Sequence, residues 1–246
     1  MGSRERQVTG DGQESVLLRY RGAVAEVILN RPTRRNALTV GVMGALREAF
    51  TGLGASEARA VVLRGADGFF CSGLDTAEMD PGAPALEMWS SVHYALAAVE
   101  IPVVACLQGG AINAGAALAL ACDLVIAGES SYIQMMEAAI GVNPPMNAAW
   151  LALRHPAGVG MQLALSCRPF RGDDLLRLGI ALDVLPDDDV LAHTLQLASR
   201  IASYPASGGR STKGTLRRAS GEAHRFAAAV DAALAAPDGA VIGDRR

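Results

Sequence analysis

The stretch AGAALALAC, Ala114–Cys122, has no charged residue on any face. A helix that is apolar all round has no side to offer to water, so it must be packed by other elements on every side. What flanks it says which elements. PVVACLQG before it and DLVIAG after it are short, β-branched and apolar, as buried strands are, and a Gly-rich turn joins the first strand to the helix. The same phrasing occurs earlier. AVVLRG is a buried strand, Gly65–Gly68 a turn, and DTAEM the expected start of another helix. PGAPALEMW reads as a loop. Further upstream, SVLLRYRG and AVAEVILN are strands joined at Arg21-Gly22. LTVGVMGALREAFTGL is a helix with Leu38, Val42, Leu46 and Phe50 at helical spacing and Thr39 as N-cap. Alternating strands and helices of this kind predict an α/β fold of stacked strand–strand–helix units.

The chain has 246 residues, 50% of them hydrophobic, which is enough for a sizeable core. Its net charge of -3 comes without a basic block, so no nucleic acid is expected as a partner. Cys71, Cys106, Cys122 and Cys167 follow neither a zinc spacing nor a disulfide framework, and the setting expected is cytoplasmic. No apolar run is long enough for a membrane span. The organisation expected is a loose polar tail over residues 1–14, a core over 15–188 and a helical region over 189–246. In that last region VLAHTLQLASRIASY and SGEAHRFAAAVDAALAA are amphipathic helices separated by PASGGRSTKG, available to the core or to a neighbouring subunit.

Chemistry is sought where backbone approaches backbone. CSGLD and NAGAAL each place a glycine, Gly73 and Gly115, between an apolar strand and a helix. The first turn of a helix has unpaired N–H groups. Two such groups aimed at one point form an oxyanion hole, which stabilises charge growing on a carbonyl oxygen. A stretch without functional side chains can thus still be functional.

The phrases LNRP…NAL, FCSGLD and ALACDLVIA, in this order and at these separations, resemble the enoyl-CoA hydratase/isomerase family, the crotonase superfamily, from about Val16 to about Pro186. The resemblance implies a spiral of repeated ββα units, an assembly of trimers or dimers of trimers, and an acyl-CoA thioester held as its enolate. It implies oxyanion donors at Leu74 N–H and Ala114 N–H, with Gly73 and Gly115 in the two turns. It puts the adenine on the Ser72 carbonyl, with Asp75 beside it, the CoA entrance at Arg34, Arg35 and Ala37, and the CoA phosphates near Lys213. No cofactor is expected beyond the CoA of the substrate, and no metal.

The chain departs from the hydratases at one position. Of their two glutamates, the second falls on Glu137 and the first on Ala117. Water addition by two carboxylates is therefore not expected as it stands. One acid/base, Glu137, suffices for an isomerase, and an atypical hydratase or dehydratase remains open. So do a non-catalytic acyl-CoA binding protein and a decarboxylase or dehydratase acting on a carrier-protein thioester. Met135 and Met136 are either an apolar acyl wall or core. Asp75 is expected to cap a helix and Glu78 to face solvent. His93 and Tyr94 lie in a segment able to reach the acyl chain. Trp89 and Trp150 line the acyl pocket or pack the core. His155 and Cys71 are expected to be structural.

Overall fold

The computed structural model describes residues 4–10, 13–78 and 85–235. Arg4–Gly10 is a strand, β1, paired antiparallel with β2 (Gln13–Arg21). This corrects the loose tail from Arg4 onward: a polar segment finds partners for its backbone in β2, which composition alone does not reveal. Gly22, at φ +59°, makes the turn into β3 (Val24–Leu29), completing the predicted hairpin. Helix α1 (Val40–Gly52) starts at Thr39, whose side chain accepts the Val42 N–H. Next comes β4 (Ala60–Gly65).

The helix expected at DTAEM is absent, because Asp75–Glu78 forms a turn held by ion pairs. Met79 and the first residues of PGAPALEMW lie outside the described residues, and its remainder already belongs to α2 (Ala85–Ala98). Then follow β5 (Val103–Leu107), β6 (Gly110–Ile112), α3 (Ala114–Leu120), β7 (Leu124–Gly128) and β8 (Tyr132–Gln134). After these come α4 (Pro145–Arg154), α5 (Ala157–Ser166), β9 (Phe170–Arg171), α6 (Gly172–Arg177) and β10 (Asp183–Leu185). The described residues end in α7 (Val190–Ser203), α8 (Ala206–Ala219) and α9 (Glu222–Leu234).

PASGGRSTKG is therefore helix rather than linker. Its glycines weaken a helix intrinsically, but tertiary anchors outweigh them. Lys213 Nζ donates to the Ile101 carbonyl at 2.9 Å, and the Arg217 guanidinium donates to the carbonyls of Val99 and Ala97. Among the described residues no helix is long and apolar enough to cross a membrane.

The main sheet runs β1-β2-β3-β4-β5-β7-β10, antiparallel at its β1 end and parallel from β3 onward. Side chains alternate between its faces. Val61, Leu63, Val103, Ala105 and Leu107 join the main core, whereas Val62, Val104 and Cys106 meet Leu197 and Ala198 of α7 on the other face. The helical region after residue 189 is thus partly a layer of the sheet itself. A second sheet, β6-β8-β9, lies beyond the strand ends, and every residue of α3 beside it is buried. The two predicted Gly turns meet where the loops from β4 and β5 come together.

Candidate active site

Parallel bridges join Cys71 to Ala111 and Leu38 to Leu74. They bring the turn after β4 against the turn after β6. Gly73 sits at φ +96°, and a Cβ there would come within 2.9 Å of the Ile112 carbonyl and 3.6 Å of the Ala114 nitrogen. A Cβ on Gly115 would lie 2.3 Å from the Cys71 carbonyl. Only glycine admits both approaches. Among the described residues, the N–H groups of Leu74 and Ala114 have no acceptor. Both residues line one cavity, and Glu137 lines it too. The three predicted catalytic positions, far apart in sequence, are together.

The turn before Ala114 is strained. Asn113 has φ +50° and ψ -112°, a conformation that a residue with a side chain rarely adopts and that costs about 1–3 kcal/mol. It is pinned on three sides. Its N–H donates to the Gln134 carbonyl at 2.9 Å, its Oδ1 accepts from the Met136 N–H at 2.8 Å, and its carbonyl accepts from Asn147 Nδ2 at 3.0 Å.

Glu137 follows β8 and is only 5% exposed. Its Oε1 accepts from Asn147 Nδ2 at 3.0 Å, and its Oε2 has no partner among the described residues. Burial pushes the carboxyl above its ordinary range, against the opposing hydrogen bonds from backbone and Asn147. An unpaired buried acceptor costs about 1–3 kcal/mol, which makes Glu137 a candidate functional group. As a base Glu137 acts only when ionised. The rate of any proton abstraction is therefore expected to rise with pH through a value above the ordinary carboxylate range. Initial rates measured from pH 4 upward check this, and a rate already on its plateau at the ordinary glutamate pKa of about 4.3 contradicts it.

Asn147, on the first turn of α4 and 2% exposed, is a site residue the sequence reading missed. Its only signal is a polar residue inside the apolar run PMNAAWLAL. The apolar part of the cavity wall comes from Leu86, Trp89, Pro144 and Met146. Trp89 is thus at the pocket, as one of its two expected roles allowed. Trp150 is core, 0% exposed and packed on Phe226 at 4.5 Å between ring centroids. Met135 is buried in the core, and neither it nor Met136 lines this cavity; Met146 takes the place expected for them.

The loop that carries Arg31 and Arg34 is clamped to the turn after Gly73. Asp75 binds Arg31 Nη1 at 3.1 Å and Arg34 Nη2 at 3.0 Å, and Glu78 binds Arg31 Nη2 at 2.6 Å. Asp75 is therefore an ion-pair partner and not the helix cap expected of it, because no helix starts there. Its burial works to raise its pKa, but hydrogen bonds and charge from Arg34 and Arg31 prevail and hold it below the ordinary range. Glu78 faces solvent in part and shares the same cations. The Ser72 N–H donates to the Arg35 carbonyl at 3.0 Å and its hydroxyl to the Arg34 carbonyl at 3.3 Å. The Ser72 carbonyl accepts no hydrogen bond among the described residues. Ala37 is buried and its carbonyl accepts from Arg31 at 3.0 Å.

Lys213 does not join this group. Its Nζ is 2.7 Å from Asp123 Oδ2, and it lines a different cavity with Arg154 and Arg217. The lysine is spent on holding α8 to the core, which its sequence context does not show. His93 does not reach the cavity either. It is fully buried, accepts from Trp150 Nε1 at 2.9 Å, and burial drives its pKa down to about 3, so it stays neutral. Tyr94 is half-exposed and packs edge-on against Phe226. Burial pushes the Cys71 thiol up to about 12, in keeping with a structural thiol. His155 borders the Lys213 cavity. Ala117 is 1% exposed on α3 and does not line the Glu137 cavity.

The profile of the enoyl-CoA hydratase/isomerase family matches residues 19–236. The chain is 32% identical over 214 residues to "Probable enoyl-CoA hydratase EchA14" of Mycobacterium tuberculosis, covering 83% of this chain and 82% of that one. It is 31% identical over 198 residues to the 2,3-dehydroadipyl-CoA hydratase of Escherichia coli, covering 77% and 76%. Among solved structures, an enoyl-CoA hydratase from Mycobacterium avium subsp. paratuberculosis superposes with a TM-score of 0.81 at 28% identity, over 91% of this chain and 95% of the other.

Proposed function

This chain belongs to the enoyl-CoA hydratase/isomerase family of enzymes, and from that premise we propose that it carries an acyl-CoA thioester through an enolate, with Glu137 as its one acid/base. The observation that carries the reading is the single cavity shared by the unpaired Leu74 and Ala114 N–H groups and the unpaired Glu137 Oε2. The thioester oxygen sits between the two N–H donors. Glu137 Oε2 takes a proton from Cα, and the charge that develops moves onto that oxygen, where the donors stabilise it. Returning the proton at Cγ shifts a double bond. The oxyanion donors need no reorganisation during the step, because Gly73, Gly115 and the pinned Asn113 already fix them. The reaction uses no cofactor besides the CoA of its substrate.

Substrate entry runs past Arg34, Arg35, Ala37 and the Ser72 carbonyl, where Arg31, Arg34 and Asp75 hold the loop in place. The proposed setting is cytoplasmic. We also propose a trimer or hexamer, supported by exposed Met161 and Leu165 on α5 and Leu216 on α8, apolar surface of the kind subunit contacts cover. Light scattering at micromolar protein is expected to give three or six times the chain mass, and a monomer mass contradicts it.

The test of the catalytic reading is turnover of 2-enoyl- and 3-enoyl-CoA, beside calorimetric binding of a saturated acyl-CoA. Multiple turnovers of either substrate support it. Tight binding without turnover makes the chain an acyl-CoA binding protein. Turnover only of a carrier-protein thioester moves the substrate class and leaves the chemistry.

A further inference from the structure

Two buried oxygens on residues that line the Glu137 cavity have no hydrogen-bond partner among the described residues: Glu137 Oε2 and Asn147 Oδ1. The orientation of Asn147 is fixed by its neighbours. Its amide nitrogen lies 3.0 Å from the Asn113 carbonyl and 3.0 Å from Glu137 Oε1, both acceptors. Turning the amide over would put oxygen against two oxygens, so the nitrogen stays there and both its hydrogens are used. Oδ1 is thereby left as an acceptor with nothing to accept. Buried acceptors of this kind are normally satisfied. Here two occur on residues that bond to one another and share one cavity.

A water molecule has two hydrogens and suits such a pair. We propose that Asn147 is a second site residue for water: Glu137 Oε2 and Asn147 Oδ1 each accept one hydrogen of a single water and turn its lone pair toward the substrate. This rests on the enolate reading above, and it supplies what Ala117 cannot, since α3 brings no carboxylate to the cavity. The reaction it permits is addition of water to a 2-enoyl thioester. The water oxygen bonds to Cβ while the Cα–Cβ π pair moves to form the enolate, whose oxygen charge rests on the Leu74 and Ala114 N–H groups. The water proton passes to Glu137 Oε2. Glu137 then gives that proton to Cα, the thioester carbonyl reforms, and the carboxylate is regenerated. One carboxylate and one neutral amide thus complete the addition, and no other reactant is needed.

The role separates from mere support of Glu137 by comparing two reactions of one protein. Exchange of the α-proton of a saturated acyl-CoA in deuterated water needs Glu137 and the oxyanion donors. Hydration of a 2-enoyl-CoA needs the oriented water as well. Asn147→Leu, and Asn147→Ala as a milder variant, also remove the Nδ2 hydrogen bonds to Glu137 and Asn113, so exchange falls too; the expected result is that the ratio of hydration to exchange falls by about 100-fold or more relative to wild type. Equal loss of both reactions, or loss of neither, overturns the proposal. Wild type alone can overturn the proposal even if neither variant folds. Exchange without hydration overturns the role of Asn147 and leaves the enolate reading standing, whereas the absence of both reactions sinks the enolate reading itself.

Discussion

Glu137→Gln is expected to lose about 1000-fold in α-proton abstraction while binding acyl-CoA nearly as well as wild type. The amide matches the carboxylate in size and still accepts the Asn147 hydrogen bond through its oxygen, so α4 and the Asn113 turn keep their contacts. What it loses is the ability to hold a proton at useful pH, and a positioned acid/base is worth about 100- to 10,000-fold. No other titratable side chain among the described residues lines the cavity to take over. His93, in the segment expected to reach the acyl chain, is sealed between Trp89 and Trp150. Because burial disfavours the charged carboxylate, this variant is also expected to be at least as stable as wild type to heating. A variant that keeps more than a tenth of wild-type exchange removes Glu137 from the chemistry.

Ala114→Pro is expected to lower kcat by about 100- to 1000-fold, the usual effect of removing one oxyanion donor, with KM changing far less. Proline lacks the N–H, and Ala114 is the first residue of α3, where proline is otherwise tolerated. The residue before it is the weak point. Asn113, at φ +50° and ψ -112°, lies outside the extended region that a residue preceding proline prefers. The same sample is therefore melted. A folded variant with full kcat would show that the Ala114 N–H does not meet the developing charge.

The parts of this fold that were legible in the sequence are those that local chemistry dictates. The hairpin at Gly22, the Thr39 cap and the buried helix after Asn113 each follow from a turn residue, a hydroxyl or an unbroken apolar face. The two Gly turns were legible for the same reason, since Gly73 and Gly115 are required by backbone contact. What was not legible depends on partners distant in the chain. The strand at Arg4–Gly10 exists because β2 offers an edge, and α8 because Lys213 and Arg217 reach carbonyls more than a hundred residues upstream. Asp75 reads as a cap until Arg31 and Arg34 are folded against it. Asn147 shows locally only as a polar residue in an apolar run, because its partners Glu137 and Asn113 lie on other elements.

The central claim is that one carboxylate and two backbone N–H groups form an enolate, and the most direct measurement needs no variant. A saturated acyl-CoA is incubated with wild type in deuterated water and its α-protons are followed by proton NMR. The expected result is catalytic loss of the α-proton signal, with the β-protons untouched and the rate rising with pH as Glu137 ionises. Saturable binding of the same acyl-CoA with the α-proton signal unchanged would contradict it.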